Sequence, residues 1–162
     1  MTVFLDFDGV LNHGDWYRIR GPKPPDEWRT EALVQWCFDP ATAPRLNRLA
    51  DAGAKIVVSS TWRKGGLEEM RTILRLLGVR GEVIDVTPDL SAKEPGQMLW
   101  RAVPRGTEIQ AWLDANGNPG PIVILDDDTD MGPLYGRLVH VDDRFGLLDE
   151  HIDRALALLR TA

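Results

Sequence analysis

Short apolar runs alternate with stretches of helical periodicity along this chain, and three of those runs end on acids or hydroxyls. Val3-Phe4-Leu5 closes on Asp6-Phe7-Asp8-Gly9, Lys55-Ile56-Val57-Val58 closes on Ser59-Ser60-Thr61, and Pro121-Ile122-Val123-Ile124-Leu125 closes on Asp126-Asp127-Asp128-Thr129-Asp130. Continuous apolar runs of this length read as buried strands. Strands that alternate with helices build a parallel sheet covered on both faces. Right-handed crossovers then bring the carboxyl ends of the first, second and fourth strands to a common edge. The predicted fold is a doubly wound, three-layer α/β sandwich with a mostly parallel central sheet.

The remaining elements follow from spacing and breakers. Gly21-Pro22-Lys23-Pro24-Pro25 predicts irregular chain from Leu11 to about Pro40. Asp39 as N-cap and Pro40 at the first position predict a helix that Gly53 ends. Leu67, Met70, Ile73, Leu74 and Leu77 predict a helix over 65–77, followed by a short strand over 82–86. A loop is expected over 88–103, a helix over 107–115, a short strand over 138–141 and a last helix over about 148–160. With 162 residues and no repeat or linker, the chain reads as one domain, 1–162, with a short flap-like insert at about 12–38.

Composition bounds the function class. Apolar residues make up 43% and charged residues 27%, as in ordinary globular proteins. No apolar run approaches the roughly 20 residues that cross a bilayer, and Met1-Thr2-Val3 does not open a secretory signal. Cys37 is the only cysteine, which excludes an internal disulfide and a cysteine-based zinc cluster. A cytoplasmic setting is expected, without a membrane partner. The net charge of −6 argues against general affinity for nucleic acid and leaves room for a local basic groove.

Asp6 and Asp8 dominate the chemistry. Strand side chains alternate between faces, so the two carboxylates share a site only where the chain bends at once, as Gly9 permits. Two close carboxylates repel unless a cation or shared proton intervenes. With the 126–130 acids on the same edge, few histidines and no usable cysteines, the donor set favours a hard, oxygen-ligated cation, and Mg²⁺ is the usual choice. A hydroxyl such as Ser60 to bind a phosphoryl oxygen, and an Arg or Lys to neutralise developing charge, complete the outline of phosphoryl transfer.

Those motifs carry a resemblance. Asp6-Phe7-Asp8-Gly9-Val10, Ser60 after Ile56-Val57-Val58, and Ile124-Leu125-Asp126-Asp127 resemble the first, second and fourth motifs of the haloacid dehalogenase (HAD) superfamily of aspartyl-phosphate phosphatases. Ser59-Ser60-Thr61-Trp62-Arg63, Arg105-Gly106-Thr107-Glu108-Ile109-Gln110-Ala111-Trp112-Leu113 and Val123 through Met131 resemble the HAD domains associated with RNA repair proteins. These in turn are similar to the 3′-phosphatase half of polynucleotide kinase-phosphatases. The resemblance implies a Rossmann-like HAD fold and a Mg²⁺-dependent phosphomonoester hydrolase. Asp6 would be the nucleophile and Asp8 the acid and base. Mg²⁺ would be held by the Asp6 carboxylate, the Asp8 carbonyl and Asp127, with Asp126 contributing directly or through water. Asp130 or Asp128 would support them, or Asp128 would cap a helix.

Ser60 is the expected phosphate-binding hydroxyl, ahead of Thr61 and Ser59. The third-motif cation falls to Arg105 or Lys93. Arg63 is expected either on phosphate or a nucleic-acid backbone or in a solvated salt bridge, Trp62 in packing ahead of base stacking, and His13 at the polar surface, while His140 and His151 receive no role. The insert is too short for a large cap, so an open site with minimal or no cap is expected, which suits RNA or DNA ends better than an enclosed metabolite. The Trp16, Tyr17, Arg18, Arg20, Lys23, Trp28 and Arg29 stretch is either a base-stacking surface or a packed flap. The alternatives to nucleic-acid 3′-phosphate ends are a nucleotide or small phosphomonoester, or a non-catalytic module that binds phosphorylated ends. A kinase or ligase partner is compatible with the repair resemblance.

Overall fold

The computed structural model describes residues 1–25, 30–91, 103–117 and 119–161. Strands β1 (Thr2–Leu5), β2 (Lys55–Val58), β3 (Val83–Val86), β4 (Ile122–Asp126) and β5 (Leu138–His140) form one sheet in the order β3-β2-β1-β4-β5. Every pairing is parallel, with Leu5 beside Val58 on one side and Leu125 on the other. The order reverses between β1 and β4, and that switch point is where an open α/β sheet forms its crevice.

Alternation along the strands divides the core in two. Val3, Leu5, Ile56, Val58, Val123 and Leu125 meet helices α2 (Glu31–Cys37), α3 (Thr42–Asp51), α4 (Leu67–Leu77) and α6 (Asp149–Arg160). Phe4, Val57, Ile122 and Ile124 face α5 (Arg105–Asn116), through Ile109 and Trp112, together with Met131 and Leu138. Phe4 and Trp112 pack edge to face at 5.4 Å.

The doubly wound sandwich is present, and local differences have local causes. The segment expected to be irregular carries α1 (Gly14–Ile19) as well as α2. The His13 ring caps α1 by accepting from the Trp16 N–H at 3.2 Å, and the Thr30 hydroxyl caps α2 by accepting from Leu33 at 3.3 Å. The Gly-Pro cluster thus separates two helices that side-chain caps stabilise. Helix α3 starts at Thr42, not Pro40, because the Asp39 carboxylate closes a turn onto the Ala41 N–H at 2.9 Å. A 3₁₀ turn, Thr61–Gly65, precedes α4, and another, Gly132–Arg137, fills the β4–β5 crossover. His13 is buried rather than a surface residue: Nε2 lies 3.2 Å from Asp39, which joins α1 to the entrance of α3.

Candidate active site

The parallel register sets Asp6, the residue after β1, beside Asp126, the last residue of β4. Asp6 is 5% exposed and Asp126 1%. Asp6, Asp126 and Asp127 each present an atom able to bind a cation, all within 4.8 Å of one another. Burial is the main reason the Asp6 carboxyl is pushed well above the usual carboxylate range, with Asp127 adding repulsion. Arg105 and a hydrogen bond from the Ser60 hydroxyl oppose the rise. Asp126 is raised for the same first reason, and its second cause is the Asp6 charge. Asp127 is raised by burial and then by Asp128. One oxygen of Asp126 accepts from the Asp128 N–H at 2.9 Å, while Oδ2 is buried without a hydrogen-bond partner. Mutually repelling carboxylates with a buried oxygen that no hydrogen bond satisfies fit a hard divalent cation.

Asp8 occupies different surroundings. Gly9 takes φ +72°, and a side chain there would fall on the Asp127 carboxylate. The turn carries Asp8 out of the buried cluster to an exposed position. Its carboxylate accepts from Asn12 Nδ2 at 2.8 Å, from the Trp62 indole N–H at 3.0 and 3.1 Å, and from the Thr61 hydroxyl at 3.3 Å. Asn12 also accepts from the Gly9 N–H at 2.9 Å, so one side chain braces both ends of the turn. Thr61, expected on phosphate, points its hydroxyl to Asp8. Trp62 packs as expected, at 5.0 Å from Phe38, and its N–H adds the bond to Asp8.

The cations divide as well. Arg105, the first residue of α5, places Nε 3.7 Å from Asp126 Oδ2 and donates through Nη1 to Glu108 at 3.1 Å. Its approach requires Gly106, where a side chain would collide with the Met131 backbone. The Asp130 carboxylate caps α5 by accepting from the Arg105 N–H at 3.0 Å, so Asp130 rather than Asp128 is the capping acid here. Arg63, expected on phosphate or in a solvated pair, is 6% exposed and forms a 2.6 Å ion pair with buried Glu108. It also donates to the Ser60 carbonyl at 2.8 Å and the Pro88 carbonyl at 3.3 Å. Lys93 lies outside the described residues, as do Trp28 and Arg29.

Asp6, Ser60, Arg105, Asp126 and Asp127 are therefore brought together, with Asp8 and Thr61 on the adjoining rim and Arg63 beneath. Sequence reasoning missed Asn12, Glu108 and His140. Asn12 lies in the turn after the acid pair, and Glu108 follows Arg105 at helical i,i+3 spacing; both were available signals. His140, whose ring lies 2.9 Å from the Asp127 carbonyl, gave none, because only the β4–β5 register brings it there.

The family model for the HAD domain in Swiss Army Knife RNA repair proteins matches residues 2–152. The chain belongs to this family. No curated protein matches it. As a HAD domain, the chain keeps an aspartate pair after β1, a hydroxyl after β2 and acids after β4 on one sheet edge. Membership of a family of RNA repair proteins indicates phosphatase-type hydrolase activity on nucleic-acid ends. Among the described residues, no helix is long and apolar enough to cross a membrane.

Proposed function

We propose that this HAD domain is a Mg²⁺-dependent phosphomonoester hydrolase that works through an aspartyl-phosphate and removes 3′-phosphates from nucleic-acid ends. The observation that carries the reading is the convergence of Asp6, Asp126 and Asp127 beside Arg105. Asp6, Asp127 and Asp126 would hold the Mg²⁺. When bound, that ion supplies the positive charge that lets an anionic nucleophile approach an anionic phosphate.

One carboxylate oxygen of Asp6 attacks phosphorus, and the bond to the ester oxygen breaks. Asp8, in its protonated form, gives its proton to that departing oxygen. Asp8 then takes a proton from water, which attacks the phosphoryl group on Asp6 and releases inorganic phosphate with the Asp6 carboxylate restored. The Ser60 hydroxyl and the Arg105 guanidinium donate to the phosphoryl oxygens, where negative charge must be neutralised. Asn12, Thr61 and Trp62 keep the Asp8 carboxyl aimed while it changes protonation state.

The test is phosphate release from 3′-phosphorylated and 5′-phosphorylated oligonucleotides, mononucleotides and an aryl phosphate, with Mg²⁺ or with chelator. Mg²⁺-dependent release favouring the 3′-phosphorylated oligonucleotide is expected. Preference for mononucleotides would move the reading to a small-molecule phosphatase. Binding of phosphorylated ends without release from any ester would make the chain a non-catalytic end-binding module.

A further inference from the structure

Among the described residues two cavities flank the acid cluster, and of these one meets Asp8. The cavity beside Arg105 is lined by Thr61, Lys64, Ser91 and Asp130. On the opposite flank a cleft of about 420 Å³ is lined by Asp8, Asn12, Tyr17, Asp127 and Arg144. A group that protonates a leaving oxygen has to lie within hydrogen-bond reach of it. On the hydrolase reading, then, whatever is esterified to the phosphate extends into the cleft that Asp8 lines.

The walls of that cleft are fixed. Helix α1 is fastened to the loop after β5, because Gly14 and Asp15 donate their N–H groups to the Asp143 and Arg144 carbonyls at 2.9 Å each. Tyr17 projects from α1 with 47% of its surface exposed. The Arg20 guanidinium lies 4.4 Å from the Tyr17 ring centroid and 3.6 Å from that of Trp36, while Arg20 also donates to the Trp36 carbonyl at 3.3 Å. Trp16 and Trp36 complete the brace through indole donors to the Trp36 and Gly21 carbonyls at 3.1 and 3.0 Å. A supported aromatic ring with open surface, backed by a cation, is a stacking platform for any nucleobase. Opposite it, Arg144 is exposed, 5.0 Å from the half-open Phe145 ring; its guanidinium Nε lies 3.9 Å from Asp15, and Asp143 lines the cleft beside it.

We propose that the α1–β5 loop cleft seats the terminal nucleoside of a single-stranded polynucleotide, with its base stacked on Tyr17 and the next phosphate of the strand at Arg144. This rests on the hydrolase reading for its direction and deepens it: the leaving group is a strand end, recognised without base-specific hydrogen bonds. Within the described part of the basic-aromatic stretch, Trp16 and Arg20 pack with Trp36 of α2, and Tyr17 is the contact surface.

The test is anisotropy binding to the turnover-blocked Asp6→Asn protein in Mg²⁺. The probes are a labelled 3′-phosphorylated single-stranded hexanucleotide and a nucleoside 3′-monophosphate. Tyr17→Ala on that background is expected to weaken the hexanucleotide by about tenfold or more, and Tyr17→Phe to leave it within about twofold. Arg144→Ala is expected to weaken the hexanucleotide, spare the mononucleotide and flatten the salt dependence. Equal hexanucleotide affinity with and without the Tyr17 ring, in proteins with matching melting curves, overturns the inference. Turnover does not enter this readout. A failure of the hydrolase reading would appear separately, as wild-type protein that releases no phosphate.

Discussion

The two sides of the β1–β4 crevice handle charge in opposite ways. On the α5 side, charge is matched internally: buried Glu108 lies 2.6 Å from Arg63 and 3.1 Å from Arg105, and accepts from the Leu90 N–H at 3.0 Å. On the strand-end side, three carboxylates face one another, and a buried oxygen of Asp126 has no hydrogen-bond partner. Matched charge makes a wall, whereas unmatched charge makes a site. The contrast explains why Arg63, basic and close by, holds the loop in place, while Arg105, bonded to Glu108 yet facing Asp126, can serve both sides.

The largest expected effect removes the nucleophile. Asp6→Asn should lower phosphate release by at least about 10³-fold, measured by initial rates, because a carboxamide does not form the covalent intermediate. The next comparison makes one chemical change on each side. Glu108→Gln should cost about 3 kcal/mol in denaturant unfolding. Among the described acids it leaves the buried Arg63 guanidinium with only Asp89, 3.9 Å away, and half-buried Arg105 with only Asp126, 3.7 Å away. Asp126→Asn in chelator should cost little or raise stability, because it removes a buried carboxyl whose ionisation beside Asp6 is unfavourable. Similar losses for both variants would erase the distinction between the two sides.

Acidity provides a third handle. Burial raises Asp6 and Asp126, so the folded state keeps protons that the unfolded chain has already released. Between the ordinary carboxylate range near pH 4 and those raised values, the contribution of Asp6 and Asp126 to stability of the metal-free protein therefore falls as pH rises, outweighing the opposing contribution of His151, whose pKa burial lowers. Melting temperature in chelator should drop from about pH 5 to about pH 8, and added Mg²⁺ should restore most at the upper end, where no proton has to leave. A melting temperature that rises with pH in chelator would contradict the pKa directions. The smallest expected effect concerns the rim: Trp62→Phe keeps the ring against Phe38 but removes the donor to Asp8, and should lower kcat by about tenfold with little change in melting temperature.

The acid side was legible in the sequence because each acid follows an apolar strand within a residue or two, and strand order on a parallel sheet is governed by chain chirality. The sandwich, its switch point and the grouping of Asp6, Ser60, Asp126 and Asp127 follow from those facts. The matched side was less legible because its bonds join residues far apart in sequence. Arg63 and Glu108 belong to a 3₁₀ turn and a helix whose approach depends on Gly106 against Met131. Helices α1 and α2 escaped for a different reason: neither buries a long apolar stripe, and each is stabilised by a local cap whose partner is three residues away.

The central claim is that Asp6 becomes covalently phosphorylated in the unmatched site. Rapid acid quench of wild-type protein turning over a 3′-[³²P]-phosphorylated oligonucleotide, followed by borohydride reduction and peptide mass spectrometry, tests it directly. The expected result is Mg²⁺-dependent label on the quenched protein, which borohydride releases as phosphate while reducing Asp6 to homoserine, with neither label nor homoserine in Asp6→Asn. Turnover with no trapped label, or label on another residue that persists in Asp6→Asn, would contradict it.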